Sequence, residues 1–347
     1  MAKDLHELVS RIKELAVELQ RTPTKRDMWD AGISDHKIRS LGGASVLTKA
    51  AGLDPPTTSP KENYQAKLLR KYKSLCAKRE QIQGHFRSTL DLKEMFDRAG
   101  NPPVLKVSVQ PDTHAKFVDR KAFDSYLRFL KYYEPHAHII LGDFVDCEGL
   151  SHWPQDDLEP RRIVPEMKQA RGLLQELVDA TPKCTTRIFL EGNHENWISQ
   201  AFTKMPELFD GLAELDIEIS IKSLLGLPKF GYDLFPLNEI VQIGKAHFTH
   251  GLYTATHHAK SHLDKLKVNI FYGHLHDTQE TNQTSMDGNI EASSLGCLAR
   301  LDAKFLKGKP NNWVHAHGVF EFFPDGSFNW YKVKILNGRS TFNGRVF

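Results

Sequence analysis

The stretch RIFLEGNHENW, residues 187–197, changes from apolar to polar within a few positions. Its apolar part, IFL, has the pattern of a short buried strand. Its polar part contains Asn193, His194 and Glu195 in succession. A loop without a function would explain this ending, and so would an active-site rim at which a strand end supplies metal ligands. The rest of the chain decides between these two interpretations.

Four other apolar stretches also end in polar residues. VLKVSVQP precedes Asp112-Thr113-His114, HIIL precedes Gly142-Asp143 with Asp146 close behind, AHFT precedes His250-Gly251, and NIFY precedes Gly273-His274-Leu275-His276. In an α/β sheet, ligand-binding residues collect where the carboxyl ends of strands converge. Five strand ends that all carry Asp, His or Asn are hard to explain as separate loops, so they predict one shared site.

The residue types at these strand ends favour a pair of divalent cations. Carboxylate and amide oxygens with imidazole nitrogens suit manganese, iron or zinc, and the absence of thiolates argues against a structural zinc finger. Asp112 and Asp143 would supply the only formal charges among the ligands, so two divalent ions would leave the site positive. Such a site attracts phosphate and stabilises the negative charge that develops during its hydrolysis.

The order of elements predicts an α/β core. From residue 104 onward, short apolar strands alternate with amphipathic helices in 118–133 and 162–180, as in βαβ units. GVFEFFPDGSFNWYKVKI predicts a β-hairpin about a Pro-Asp-Gly turn. The stretch 198–245 has no signature, and we expect it to line the substrate cleft.

The motifs DTH, GDFVD, GNHE, HG and GHLH, in that order, resemble those of the calcineurin-like metallophosphoesterase superfamily. The surrounding sequence is most similar to phage and prophage members. The resemblance covers residues 104 to about 280. It implies a metallophosphoesterase-type double β-sheet sandwich flanked by helices, in a metal-dependent phosphoesterase from a phage or prophage.

The resemblance also implies a role for each matched residue. Two divalent ions would be held by seven residues: Asp112, His114 and His276 on the first, Asn193, His250 and His274 on the second, and Asp143 bridging both. Manganese is the preferred ion, with iron, zinc, nickel or magnesium as alternatives. The ions, typically about 3.5–4 Å apart, activate a bridging water for in-line attack on the phosphate. His194 would be catalytic and assist the leaving oxygen, while Asp146 and Glu195 would orient ligands.

The remaining histidines and aromatic residues predict structural roles. His258 and His262, one helical turn apart, could bind zinc, but we expect a solvated helix face that also includes His257. We expect His315 and His317 to be structural. We also expect four aromatic side chains in the core rather than as base-stacking platforms: Trp153, Trp313, Phe322 and Phe323.

Residues 1–53 predict a small all-α domain. Apolar residues from Leu5 to Leu19 repeat at helical spacing. Thr22-Pro23 or Thr24 can cap a second helix that has Asp27 in its first turn, and GISDHKIRSLGG and ASVLTKAAGL add two further short helices.

This segment resembles the helix-turn-helix repeats of phage proteins and of regions associated with homing endonucleases. The shared features are TPT followed by two basic residues and Asp, then GIS, then AAGL. The resemblance implies DNA contacts by Lys37 and Arg39, and phosphate contacts by Lys25 and Arg26. A purely structural helical cap is the alternative.

Positive charge is concentrated near the amino terminus. Residues 1–100 contain 19 Lys+Arg against 13 Asp+Glu, and the remainder is slightly acidic. Residues 54–100 read as a linker and basic helical connector, with a basic helix at 61–82 that includes Lys71 and Lys73 and a second short helix in LDLKEMFDRAG. Residues 101–347 would form the metallophosphoesterase domain. A polyanion contact and a solvated Lys-rich helix would both explain the charge.

Composition favours a cytoplasmic protein. The hydrophobic fraction is 40% and the charged fraction 26%, as in ordinary soluble domains. No apolar run reaches the roughly 18 residues that a membrane span needs, and MAKDLHELVS does not read as a signal peptide. The four scattered cysteines, without a C-x-x-C pair, indicate a reducing compartment. The oligomeric state stays open, with a homodimer among the options.

Together these features predict a DNA nuclease, that is, a two-metal phosphodiesterase that acts on nucleic acid. The alternative is a phosphomonoesterase, or a phosphodiesterase for small or cyclic nucleotides, that the amino-terminal module only localises. A DNA-binding structural protein with an idle metal site is disfavoured, because every expected ligand is present.

Overall fold

The computed structural model describes residues 2–34, 38, 44–53, 80–82, 85–150, 163–204, 220–286, 288–302 and 310–347. The chain divides into two compact units, Met1–Ala77 and Lys78–Phe347. Several predictions lie outside the described residues: the linker 54–60, the basic helix from 61 to 79, Lys37, Arg39, Lys71, Lys73 and Trp153. Within the described part, no helix is long and apolar enough to cross a membrane.

The amino-terminal unit is helical, as predicted. Its described helices are α1 (Ala2–Leu19), α2 (Lys25–Asp30) and α3 (Ala44–Ala50). Thr24 caps α2, because its hydroxyl accepts from the Asp27 amide while the Asp27 carboxylate accepts from the Thr24 amide. The apolar cluster at the centre of this unit consists of Leu8, Ile12, Met28, Ile33, Ile38, Leu47 and Ala51. Lys25 is exposed, and the helix-turn-helix interpretation stays a prediction.

The larger unit contains two mixed β-sheets. The seven-stranded sheet has the order β1 (Glu80–Ile82), β2 (His85–Thr89), β7 (Ile240–Ile243), β8 (Ala246–Thr249), β9 (Asn269–Tyr272), β11 (Gly288–Ser294) and β10 (Glu280–Ser285). The eight-stranded sheet has the order β15 (Arg345–Val346), β14 (Arg339–Phe342), β13 (Phe328–Leu336), β12 (Ala316–Phe322), β3 (Leu105–Gln110), β4 (Ala137–Ile140), β5 (Thr186–Leu190) and β6 (Tyr232–Phe235). Strands β12 and β13 form the predicted hairpin.

The sheets pack face to face through an apolar core. Alternate residues of one strand face opposite sides, so Ile139 lies between the sheets while Ile140 faces the helices outside. Across the interface, the ring of Phe320 lies 5.0 Å from that of Phe248 and 4.7 Å from that of Phe271. This is the double sandwich that the sequence predicted.

Helices cover the outer faces of both sheets. The described α-helices of this unit are α4 (Leu92–Arg98), α5 (Arg120–Tyr133), α6 (Ile163–Ala180), α7 (Asn193–Lys204), α8 (Ile221–Leu225) and α9 (His258–Leu266). Helices α5 and α6 pack on the eight-stranded sheet, where the sequence placed helices. Helix α9 packs on the seven-stranded sheet through Ala259, Leu263 and Leu266.

The predicted basic helix is wrong at its carboxyl end. Residues 80–82 form β1, which pairs with β2, and β2 pairs in parallel with β7. Residues 78–100 therefore belong to the larger unit rather than to the predicted connector. The Ser88 hydroxyl, on β2, donates to the Glu239 carboxylate, just before β7, and the two residues lie more than 150 positions apart in the chain. No local pattern therefore reveals the pairing.

A buried histidine network crosses the eight-stranded sheet. His138 Nε2 lies 2.9 Å from the Tyr126 hydroxyl, and His138 Nδ1 lies 2.7 Å from the Tyr232 hydroxyl. Burial and the positive charge of Arg187 lower the pKa of His138 to about 3. The imidazole is therefore neutral in the folded protein.

We predict that this network makes the fold acid-sensitive. The unfolded chain binds a proton at His138 below pH ~6.5, whereas the folded chain does so only near pH 3, so stability is full above pH ~6.5 and is lost as the pH falls toward 3. Urea unfolding at pH 7.5 and 5 should show a smaller pH effect in His138→Gln than in wild type, by up to about 2 kcal/mol. An NMR titration of His138 in the folded protein with a midpoint near 6.5 would contradict this.

Candidate metal centre

The two sheets bring the five predicted strand ends together. β3, β4 and β5 are parallel neighbours in one sheet, and β8 and β9 are parallel neighbours in the other. The His274 amide, after β9, donates to both carboxylate oxygens of Asp112, after β3, at 2.9 Å. The carboxyl ends of both sets of strands therefore meet in one place.

Asp112, His114 and His276 form a first group of ligand atoms that lie within 4.8 Å of one another. His276 Nε2 lies 3.1 Å from His114 Nε2 and 3.4 Å from Asp112 Oδ1. His114 Nδ1 lies 2.9 Å from an Asp146 carboxylate oxygen, so Nδ1 carries the proton. The His114 Nε2 lone pair is left to face the group.

Asp143, His250 and His274 form a second group of the same size, and Asn193 adjoins it. His250 Nδ1 lies 2.8 Å from the Leu141 carbonyl oxygen, so Nδ1 is the donor and Nε2 carries the lone pair. Around His250 Nε2 lie Asn193 Oδ1 at 3.0 Å, His274 Nδ1 at 3.1 Å and Asp143 Oδ2 at 3.2 Å. Several lone pairs thus converge on one point.

Asp143 lies between the two groups. The Oδ2 atom that is 3.2 Å from His250 Nε2 is also 4.0 Å from His114 Nε2. Its other oxygen accepts a hydrogen bond from the His194 amide at 3.0 Å. This position fits the bridging role that the sequence predicted.

The charges of the site fit cations. Burial alone would raise the pKa of the Asp112 and Asp143 carboxyls, but His276 beside Asp112 and His250 beside Asp143 outweigh it and lower both pKa values. Conversely, burial would lower the pKa of His114 and His250, but the neighbouring carboxylates raise each to about 9. The buried carboxylates thus require positive charge close by, and two divalent ions would supply it while releasing the histidine protons.

The backbone at the site is strained. Four of the predicted ligands have left-handed backbone angles, which residues other than glycine adopt only rarely: His114 (φ 46°), Asp143 (φ 45°), His274 (φ 71°) and His276 (φ 61°). Each such conformation costs on the order of 1–3 kcal/mol, and strained positions cluster at functional sites.

Two glycines make room for the carboxylates. A Cβ at Gly273 would lie 2.2 Å from Asp112 Oδ2, and a Cβ at Gly192 would lie 2.2 Å from Asp143 Oδ1. Each carboxylate therefore packs directly against bare backbone. The glycines that begin GNHE and GHLH were the sequence signal for this contact.

Glu195 holds three backbone amides of the loops that carry Asp143 and Asn193. Its carboxylate accepts from the Gly192, Asp143 and Val145 amides at 2.8, 2.9 and 3.0 Å. Burial and the charge of Asp143 raise the pKa of Glu195 to about 8, so nearby positive charge would keep it ionised. The sequence missed Glu166, whose carboxylate accepts from the Asp146 and Cys147 amides at 2.5 and 2.9 Å.

His194 faces the site without joining either group. Its Nδ1 donates to the Asp146 carbonyl oxygen at 2.6 Å, and its Nε2 lies 3.8 Å from Asp143 Oδ2. His194 is also close to His114 and Asp146 in a third set of ligand atoms. Asp146 already accepts a hydrogen bond from Nδ1 of both histidines. We therefore interpret the third set as contacts by which Asp146 positions the two rings.

Other sequence predictions had mixed outcomes. The solvated helix face is wrong for His258 and His262, which are both buried. Phe322 is buried as expected, whereas Phe323 is exposed. Trp313 is half-buried and packs on His276, with ring centroids 4.3 Å apart.

Residues 105–287 match the family of calcineurin-like phosphoesterases. The chain belongs to this family. It is therefore a metal-dependent phosphoesterase, and the family uses divalent metals, as the two ligand groups allow.

Two phage proteins are similar to this calcineurin-like phosphoesterase. The Gene 54 protein of Mycobacterium phage D29 is 24% identical over 260 residues, which cover 70% of this chain and 98% of that protein. The Gene 54 protein of Mycobacterium phage L5 is 23% identical over 258 residues with the same coverage. Among solved structures, vacuolar protein sorting 29 from Cryptosporidium parvum is 11% identical, with a TM-score of 0.40 over 71% of this chain and 99% of that chain.

We predict that Gly273→Ala weakens metal binding by the phosphoesterase, because the new methyl group would displace the Asp112 carboxylate. Titration of Mn²⁺ into metal-stripped protein should show a loss of affinity of at least about tenfold. Gly172→Ala is the matched control, because in α6 the new Cβ would meet nothing within 4 Å apart from its chain neighbours and the backbone of its own helix. Its free energy of unfolding should stay equal or rise by about 0.5–1 kcal/mol.

Asn193 and His194 should respond differently to truncation. Asn193→Ala removes an oxygen from the second group and should lower metal occupancy. His194→Ala should keep the metal and slow turnover. Metal content after gel filtration, compared with activity in excess Mn²⁺, separates the two effects. Equal loss of metal in both variants would contradict the division of roles.

Proposed function

We propose that this calcineurin-like phosphoesterase is a phosphodiesterase that hydrolyses nucleic-acid backbones, with DNA as its substrate. The proposed hydrolytic activity rests on one observation: two ligand groups converge on Asp143, and His194 Nε2 faces the same point. The preference for nucleic acid rests on the excess of Lys and Arg in residues 1–100 and on the predicted helix-turn-helix.

The residues of the site divide the work. Asp112, His114 and His276 would hold one ion, Asn193, His250 and His274 the other, and Asp143 both. When bound, two divalent ions would supply water activation and would neutralise phosphate charge. Imidazole, carboxylate and amide donors suit Mn²⁺, with iron, zinc, nickel or magnesium as alternatives.

His194 would serve the leaving oxygen. The Asp146 carbonyl fixes the proton on Nδ1, so Nε2 is the atom that gains and loses a proton toward the substrate. Burial lowers the pKa of His194, and the charge of Asp143 opposes this effect. A phosphate held beside Asp143 would therefore meet the Nε2 edge of the ring.

The amino-terminal unit would hold the DNA backbone. We propose phosphate or base contacts by Lys25, Arg26, Lys37, Arg39, Lys71 and Lys73. Phosphate contacts by Lys and Arg give affinity that falls steeply with salt and depends little on sequence. Since the similar proteins belong to mycobacteriophages, we propose that the enzyme acts in the cytoplasm of a bacterial host.

We predict that the purified full chain cleaves DNA in Mn²⁺. Asp143→Ala should abolish cleavage, because both ligand groups lose their shared oxygen, and His194→Ala should slow it by about 10²–10⁴-fold. Gel assays on single-stranded, duplex and nicked DNA measure this, with Gly172→Ala as the folding control.

A paired assay on bis-aryl and mono-aryl phosphates decides the substrate class. A higher rate on the diester supports the proposal. Intact DNA in a full panel of metal ions, together with rapid hydrolysis of the mono-aryl phosphate, would contradict it and favour a phosphomonoesterase.

A further inference from the structure

Helix α9 carries two buried histidines that are not predicted ligands. His258 is 4% exposed and His262 is fully buried. They lie one helical turn apart and so share a face of the helix. Both contact the ring of Tyr272 on β9, with His262 stacked on it at a centroid distance of 3.9 Å.

His262 holds the loop that carries His250. The His262 Nδ1 atom donates to the His258 carbonyl oxygen at 2.8 Å, which leaves Nε2 as an acceptor. Nε2 accepts from the Leu252 amide at 3.0 Å. Leu252 lies two residues after His250, whose own Nε2 belongs to the second ligand group.

His258 holds the loop that carries His276. Its Nδ1 lies 2.7 Å from the Tyr272 hydroxyl, and its Nε2 lies 2.9 Å from Asp277 Oδ2. The other Asp277 oxygen accepts from the Ser294 hydroxyl at 2.6 Å. Asp277 directly follows His276, which belongs to the first ligand group.

The contacts of His258 matter because the loop that carries His276, from Gly273 to Asp277, is strained. His274 and His276 both have left-handed backbone angles, and such conformations persist only where the surroundings fix them. The Gly273 amide anchors the start of the loop by donating to the His250 carbonyl oxygen at 2.8 Å. Asp277 anchors its end through His258 and Ser294.

We propose that His258 and His262 are positioning residues that set the affinities of the two metal ions separately. His262 acts on the ion of the second group through His250, and His258 acts on the ion of the first group through His276. This inference rests on the two-ion site of the proposed function, but it concerns side chains outside that site.

Matched substitutions test the loop-facing nitrogen of each ring. Glutamine places a polar atom near the position of Nε2, whereas asparagine reaches only as far as Nδ1. His262→Gln and His262→Asn both lose the stacking on Tyr272, but only glutamine can keep the contact with Leu252. His258→Gln and His258→Asn differ in the same way toward Asp277.

The experiment titrates Mn²⁺ into metal-stripped full-length protein and follows both dissociation constants by calorimetry and by electron paramagnetic resonance of free Mn²⁺. Asn193→Ala and His114→Ala identify the ions of the second and first groups. His262→Asn should weaken the second-group ion, and His258→Asn the first-group ion, each by about 10–100-fold. The glutamine variants should stay close to wild type.

Three results would overturn the inference: equal weakening of both ions by either asparagine variant, glutamine variants as weak as asparagine variants, or no change in any of them. Ser294→Ala removes the second bond to Asp277 together with the bond that the Ser294 hydroxyl accepts from the Gln279 amide. It should weaken the same ion as His258→Asn, and it serves as the test variant if an asparagine variant does not fold. Wild-type protein that binds no Mn²⁺ would instead overturn the proposed function itself.

Discussion

The structure of the site depends on two carboxylates, Asp112 and Asp143, that are buried where the sheets meet. Burying charge is costly unless partners compensate it. The His274 amide donates to Asp112 and the His194 amide to Asp143, and histidines surround both groups. The other predicted ligands carry no negative charge, and a further carboxylate would require still more positive charge. A surplus of positive charge then remains for a phosphate once two divalent ions are bound.

The strained loops depend on the rigidity of the strands before them. The left-handed conformations at His114, Asp143, His274 and His276 would relax on a mobile support. Each follows a strand whose side chains are buried in the core between the sheets or against the outer helices. Packing of the sandwich therefore offsets the strain and holds the ligand atoms within a few ångströms of one another.

Sequence patterns revealed the features that are local in the chain. Each strand end is recognisable as an apolar run followed by polar residues. The helix cap formed by Thr24 and Asp27 is also local, because both residues belong to one capping box. Features that depend on distant contacts stayed hidden. The pairing of β2 with β7 is one example, and the burial of His258 and His262 is another, because helical spacing cannot distinguish a polar face against a sheet from one in water. Glu166 was missed for the same reason.

Asp143 couples the proposed catalytic residue to the metal ligands. One of its oxygens accepts from the His194 amide, the other lies nearest His250, and its own amide donates to Glu195. Asp146 repeats this coupling, because its carboxylate contacts His114 while its carbonyl accepts from His194. A shift of either loop would therefore move His194 and the ligand groups together. The distance between His194 Nε2 and a phosphate held beside Asp143 would change little, because the same backbone positions both.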